Sequence, residues 1–86
     1  MARIRILYFA KVRDSLGIDE ESIQLPDSIN NTRDLQLYLS ERGGDWKEQL
    51  SESNSIRVAV NQDIVQGSKP LKDGDEVAFF PPVTGG

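Results

Sequence analysis

The sequence predicts an α+β fold, a mixed sheet of about five strands carrying one main helix and one or two short ones. Three observations carry it. Apolar residues recur with a period of two near both ends of the chain, at Ile4, Ile6 and Tyr8 and again at Val77 and Phe79. One central stretch, around Leu35 and Leu39, has the spacing of a longer helix. The segment Ser68–Asp75 is rich in turn residues, so a last strand can return beside the earlier ones.

Each element follows in order. Ile4, Ile6 and Tyr8 alternate with Arg3, Arg5, Leu7 and Phe9, which gives a first strand with one apolar face. AKVRDSLG fits a short helix presenting Val12 and Leu16, and Gly17 supplies its left-handed stop. Ser22 to Leu25 alternates again before Pro26 and forms a second strand, antiparallel to the first. The intervening segment is too long for a tight hairpin. Asn31 or Thr32 caps the main helix, and Asp34 in its first turn complements the helix dipole. Leu35, Tyr38 and Leu39 are expected on its inner face, with Gly43-Gly44 ending it.

Asp45 to Leu50 makes a further helical turn with Trp46 and Leu50 inward. Ile56, Val58 and Val60 form a third strand, and Asp63 to Gln66 a short fourth. Glu76 to Phe80 closes the sheet, Val77 and Phe79 on one face, Ala78 and Phe80 on the other. No repeat or linker interrupts this order. Residues 1–80 are therefore read as one domain and 81–86 as a flexible C-terminal tail. Setting the first and last strands side by side places both in the middle of the sheet, which describes a ubiquitin-like β-grasp.

Composition narrows the function. The 86 residues have a net charge of −4, which argues against nucleic acid and against an anionic membrane surface as partners. An acidic face can instead steer the domain toward a basic region of another protein. No apolar run approaches the roughly 20 residues of a membrane span, and MARIRILYFAKVR lacks the features of a secretory signal. The chain is expected to be cytoplasmic. It holds no Cys and no His, which removes disulfides, thiolate nucleophiles, Cys-ligated zinc and the commonest general base. No cofactor is expected to be bound.

The end of the sequence, FFPPVTGG, is the most informative stretch. Pro81 and Pro82 lack N–H groups and fix φ, so they leave a sheet as a stiff, extended exit. Six residues beyond Phe80 at about 3.3 Å each reach about 20 Å. Gly85 and Gly86 have no Cβ, so a narrow channel admits them. The α-carboxylate at such a tip is ionised at neutral pH and a poor electrophile. It reacts only when activated, for example as an acyl-adenylate formed from ATP by another enzyme. A sulfur donor or an amine then displaces AMP, and neither outcome needs Cys or His in this chain.

YFAKVRD near the start, VNQ at Val60-Asn61-Gln62 and LKDGDEVAFFPPVTGG at the end resemble the small subunits of molybdopterin synthase, a family of ubiquitin-like sulfur carriers. The resemblance spans essentially the whole chain and is least specific in the middle helix. It implies that a ubiquitin-activating-type enzyme uses ATP to adenylate Gly86, and that a sulfurtransferase step converts it to a thiocarboxylate. The tail, including Gly85, then enters the large synthase subunit. There the sulfur reaches cyclic pyranopterin monophosphate and builds the molybdopterin dithiolene of the molybdenum cofactor. It also implies a heterotetramer in which two carriers flank a large-subunit dimer, with the chemistry residing in the complex and not in this chain alone. A sulfur carrier for thiamin thiazole synthesis, a ubiquitin-like protein modifier and an interaction domain with an inert tail remain alternatives.

Strand alternation leaves Phe9 and Phe80 on the face opposite Ile4, Ile6, Tyr8, Val77 and Phe79, and Ile64 is a third candidate for that face. The resemblance implies that Phe9, Ile64 and Phe80 contact the large subunit, beside the tail residues Pro81, Pro82, Val83 and Thr84. Other motifs carry less. Asp73-Gly74-Asp75-Glu76 reads as a turn and not as a cation loop, and Trp46 as a cover for the core edge. Arg13 and Lys69 read as solvated charges, and Gly43-Gly44 lacks the lysine of a phosphate loop.

Overall fold

The computed structural model describes residues 2–51 and 55–82. Backbone pairing joins the two ends of this segment. The first strand, β1 (Arg3–Tyr8), runs parallel to the last, β5 (Glu76–Phe80), with Tyr8 opposite Phe79 and Ile6 opposite Val77. Between them come α1 (Ala10–Leu16), β2 (Glu20–Gln24), α2 (Thr32–Ser40), α3 (Asp45–Leu50), β3 (Arg57–Val60) and β4 (Asp63–Ile64). The sheet order is β2-β1-β5-β3-β4, and every pairing except β1–β5 is antiparallel. This is the β-grasp arrangement.

The core lies on one face of the sheet. Ile4, Ile6, Tyr8, Val77 and Phe79 meet Val12 of α1, Leu35 and Leu39 of α2 and Leu50 of α3, each at most 1% exposed. Burying a side chain of this size contributes about 1.5–3 kcal/mol, so this layer supplies most of the driving force. Tyr8 stacks on Phe79 with ring centroids 6.1 Å apart and meets the edge of Trp46 at 5.4 Å. Trp46 covers the rim of the core, and the Arg42 guanidinium lies 4.4 Å above its ring.

One polar group tips into this rim. Glu21 accepts a hydrogen bond from the Tyr8 hydroxyl at 2.8 Å and two from Arg42 at 2.9 and 3.1 Å. Burial by itself would raise the Glu21 carboxyl, but the bonds from Arg42 and Tyr8 outweigh it and hold the group below its ordinary range. The same surroundings, burial first, push the Tyr8 phenol far above its ordinary value.

Local chemistry sets the element ends. Asn31 is the cap of α2, its Oδ1 accepting from the Asp34 N–H at 2.8 Å. Gly17 closes α1 at φ 72°, its N–H donating to the Arg13 carbonyl. The main helix stops earlier than the glycine pair suggests. It ends at Ser40, and Gly43 (φ 78°) turns the chain into α3 a little later. Tyr38 is 36% exposed, so it does not join Leu35 and Leu39 inside. At 100° per residue it sits on the flank of the apolar stripe, and Leu50 and Trp46 of α3 complete the core in its place.

The β3–β4 connection is a two-residue hairpin in which Asn61 (φ 50°) and Gln62 (φ 74°) are both left-handed, as a type I′ turn requires. Asn61 also fastens the hairpin to the start of β5. Its Nδ2 donates to Asp75 Oδ1, and its Oδ1 accepts from the Glu76 N–H, each at 3.0 Å. Asp75, 8% exposed, takes a further bond from the Lys72 N–H at 2.8 Å. Burial opposes its charge, but these bonds, Asn61 first, hold its carboxyl below the ordinary range. The Asp73–Glu76 stretch is therefore a structural turn, with Gly74 at φ 89° and Asp73 accepting from the Arg3 N–H at 2.8 Å.

Two predictions follow from these contacts. Gln62 has a side chain in a conformation that costs an L-residue about 1–2 kcal/mol, so Gln62→Gly is expected to stabilise the fold by about 1 kcal/mol in urea unfolding. An unchanged or lowered midpoint would show that the turn is not strained. Glu21 has a folded pKa below its unfolded value, so its stabilisation is present above the ordinary carboxylate range and lost as pH falls through it. Glu21→Gln is therefore expected to be less stable than the parent near neutrality, with the gap closing as pH falls below the ordinary carboxylate range. A gap independent of pH would contradict the assignment.

Candidate functional site

The three helices pack on one face of the sheet, and the strand registers show what the other face carries. One row across it reads Glu20, Leu7, Ala78, Ala59 and Ile64, from β2 to β4. The next row toward the C-terminal ends of β1 and β5 holds Phe80 opposite Arg57. Phe9 extends this row on the β1 side, because its N–H donates to the Phe79 carbonyl at 3.1 Å and continues the parallel ladder. Gln66 extends it on the β4 side, because the Val65 N–H donates to the Val58 carbonyl at 2.9 Å. In the opposite direction the face becomes charged, with Arg5 opposite Glu76 and paired to Glu20 at 2.9 Å.

The outer face is thus divided. Its apolar end comprises Phe9 (45% exposed), Ile64 (62% exposed) and the half-buried Leu7, Ala78 and Phe80. A groove of about 290 Å³ runs between Phe80, Arg57, Ile64 and Gln66. A second, also about 290 Å³, lies between Arg57, Ile56, Ser55 and Pro82. β5 leaves the sheet at this end, and Pro81 and Pro82 follow Phe80 outside any strand.

Phe9 owes its place to a sharp junction. It is extended (φ −124°, ψ 154°), and Ala10 after it is left-handed at φ 52°. The chain turns there into α1, so Val12 goes to the core while Phe9 stays in solvent.

Phe9, Ile64, Phe80, Pro81 and Pro82 therefore come to one end of the sheet, as the sequence suggests. Val83, Thr84, Gly85 and Gly86 lie outside the described residues. Leu7, Ala78, Arg57 and Gln66 were not singled out from sequence. Leu7 and Ala78 have the same strand parity as Phe9 and Phe80, which is a usable signal. Arg57 and Gln66 become visible only once the two-residue turn fixes the register of β3 against β4.

Among the described residues no group of three or more His, Cys, Asp or Glu side chains is placed to hold a metal ion. A single large apolar side chain exposed on a surface is ordinary, but several in one patch at the exit of the last strand make this end of the sheet a candidate interface.

A family model described as the ThiS family matches residues 6–86. The chain belongs to the ThiS family. It is 40% identical over 83 residues to the molybdopterin synthase sulfur carrier subunit of Escherichia coli and 39% identical over 83 residues to that of Haemophilus influenzae. Each alignment covers 96% of this chain and 99% of the relative. A chain in the solved complex of subunits 1 and 2 of the molybdopterin-converting factor from Helicobacter pylori overlays with a TM-score of 0.68 at 25% identity, covering 98% of this chain and 99% of that one. This family membership accords with the fold and with the motifs at both ends of the sequence.

The two faces predict opposite responses to substitution. Phe79→Ala, in the core, is expected to cost about 3–5 kcal/mol, whereas Ile64→Ser should change stability by no more than about 0.5 kcal/mol. Urea unfolding of both variants checks this, and a large loss from Ile64→Ser would mean that the outer face is part of the core.

Proposed function

We propose that this chain is the sulfur carrier subunit of a molybdopterin synthase and works at the carboxyl end of Gly86. The observation that carries the reading is full-length similarity to relatives bearing that name. The fold supports it in a specific way. β5 is held between β1 and β3, so the root of the tail is fixed by two ladders, and Pro81 and Pro82 lead away from the sheet beside the apolar patch. Docking that patch on a large subunit would set the position of the tail root. An extended segment of four residues beyond Pro82 then spans about 13 Å, enough to carry a terminal group into a neighbour's cavity.

In this reading the Gly86 carboxylate attacks the α-phosphorus of ATP on a ubiquitin-activating-type enzyme, and pyrophosphate leaves. The terminal sulfur of a sulfurtransferase persulfide attacks the acyl carbon and AMP departs with the bonding pair. A thiol then cleaves the resulting acyl disulfide, is itself oxidised to a disulfide, and leaves a thiocarboxylate in which one carboxyl oxygen has been replaced by sulfur. The thiocarboxylate sulfur, a better nucleophile than the carboxylate, attacks a carbon of cyclic pyranopterin monophosphate in the large subunit and displaces an oxygen leaving group. Water then hydrolyses the thioester, so the sulfur stays on the pterin and the Gly86 carboxylate is regenerated. Gly85 keeps the approach narrow. Residues 1–80 act as the handle and 81–86 as the arm, in a cytoplasmic assembly of two small and two large subunits. The carrier needs no cofactor of its own, since ATP is consumed by the activating enzyme. Acid–base groups and substrate-binding cations belong to the partners.

The test is intact-mass measurement after incubation with the activating enzyme, ATP and a sulfur donor. One oxygen is expected to be exchanged for sulfur at the C-terminus. Deleting Gly86 is expected to abolish both this exchange and molybdopterin formation while leaving the urea midpoint unchanged. Full sulfur transfer by the truncated chain would overturn the proposal. Transfer to a thiazole synthase but not to the molybdopterin synthase large subunit would assign the thiamin pathway instead.

A further inference from the structure

The apolar end of the outer face contains one charge that its surroundings do not explain. Arg57 stands directly opposite Phe80 in the β3–β5 ladder, one strand from Ile64, and borders both grooves at the tail root. Its side chain is exposed. Arg5, Arg13 and Arg42 each pair with a carboxylate, at 2.9, 3.6 and 2.9 Å, but among the described residues none pairs with Arg57. The chain carries 14 acidic against 10 basic side chains, so an unpaired arginine in this patch does not follow from the overall composition.

We propose that Arg57 pairs with a carboxylate on the molybdopterin synthase large subunit, at the mouth of the channel that receives the tail. This rests on the proposed function and deepens it. Two considerations select a protein carboxylate over other anions. Arg57 is beside Pro82, four residues from the group that is adenylated; with the tail extended into a partner, as the proposed function requires, that group would lie about 13 Å away, out of reach of Arg57. The flanking groups are Phe80 and Ile64, so a docked apolar surface surrounds the guanidinium and excludes water from it. In that setting its planar fork matches a carboxylate in two hydrogen bonds. Left without a partner charge, it would oppose docking through the cost of desolvating it. Arg57 therefore acts in specificity: it admits a large subunit with an acidic group at this point and disfavours one that is apolar or basic there.

The experiment measures affinity between the full-length carrier and the large subunit encoded by the same organism, at low and at moderate salt, for the parent, Arg57→Gln and Arg57→Glu. Arg57→Glu is expected to weaken the complex by roughly a hundredfold and Arg57→Gln by roughly tenfold. The salt dependence of the parent is expected to be steeper than that of Arg57→Gln. The urea midpoints of all three should agree closely, since the side chain is exposed. If Arg57→Glu does not fold, the Arg57→Gln affinity and salt slope decide alone. Parent-like binding by the variants, or equal salt slopes for parent and Arg57→Gln, would overturn the inference while leaving the carrier reading in place. Absence of any complex with the parent would instead overturn the carrier reading, and this inference with it.

Discussion

The parallel pairing of β1 with β5 is the constraint on which the rest of the structure depends. It joins residues about 70 positions apart, in the middle of the sheet, and everything between them must return on one side. Parallel strands need a long crossover, and here it contains all three helices. Because the helices share one face, the core forms there and the other face stays open. Because β5 is central, the root of the tail is clamped on both sides and cannot slide without breaking two ladders. The same register that buries Val77 and Phe79 turns Ala78 and Phe80 outward. A slip of one residue would exchange the core for the outer face.

The open face is divided between two kinds of chemistry. Toward the N-terminal ends of β1 and β5, Arg5, Glu20 and Glu76 keep the sheet soluble and contribute little to stability, as exposed ion pairs do. Toward the tail, small residues at Ala59 and Ala78 keep the centre of the patch low, while Phe9, Phe80 and Ile64 rise around it. That relief has an energetic consequence. Large side chains around a flat centre can be covered by a partner without the carrier rearranging, so little ordering cost attaches to docking. The hydrogen-bonded turn of Asn61 and Asp75 serves the same end, since it holds the β3–β4 hairpin, and so Ile64, in register with β5.

Much of this was legible in the sequence, for physical reasons that differ by element. β1 and β5 showed themselves because each has one buried face, and period two is then forced. The cap at Asn31 and the stop at Gly17 were legible because the side-chain and backbone requirements there are local. Tyr38 was misplaced because helical spacing gives an arc and not a depth, and the depth depends on how α3 packs beside α2. Ile56 falls outside β3 and Gln66 outside β4, since strand ends are set by the hairpin and not by apolar runs. Phe9, Ile64 and Phe80 were recognised as apolar residues out of place. Arg57 was missed because a surface arginine is unremarkable until the register sets it among them.

A domain of this size buries one modest core, and this one places it on a single side of its sheet. Its 86 residues build a single core layer on one side of a sheet, and the grooves elsewhere are shallow and open. In the proposed function, the chemistry that needs exclusion of water takes place in another protein's interior. What the small domain can contribute is a fixed point of departure, a thin arm and a surface that identifies the recipient. In that proposal the clamped β5, the proline pair and the patch with Arg57 are those three components, placed within two rows of one sheet. If docking and delivery share the same strand, as proposed, a partner that matches the patch would also receive the arm at a defined distance. In this architecture, recognition and reach are a single geometric property.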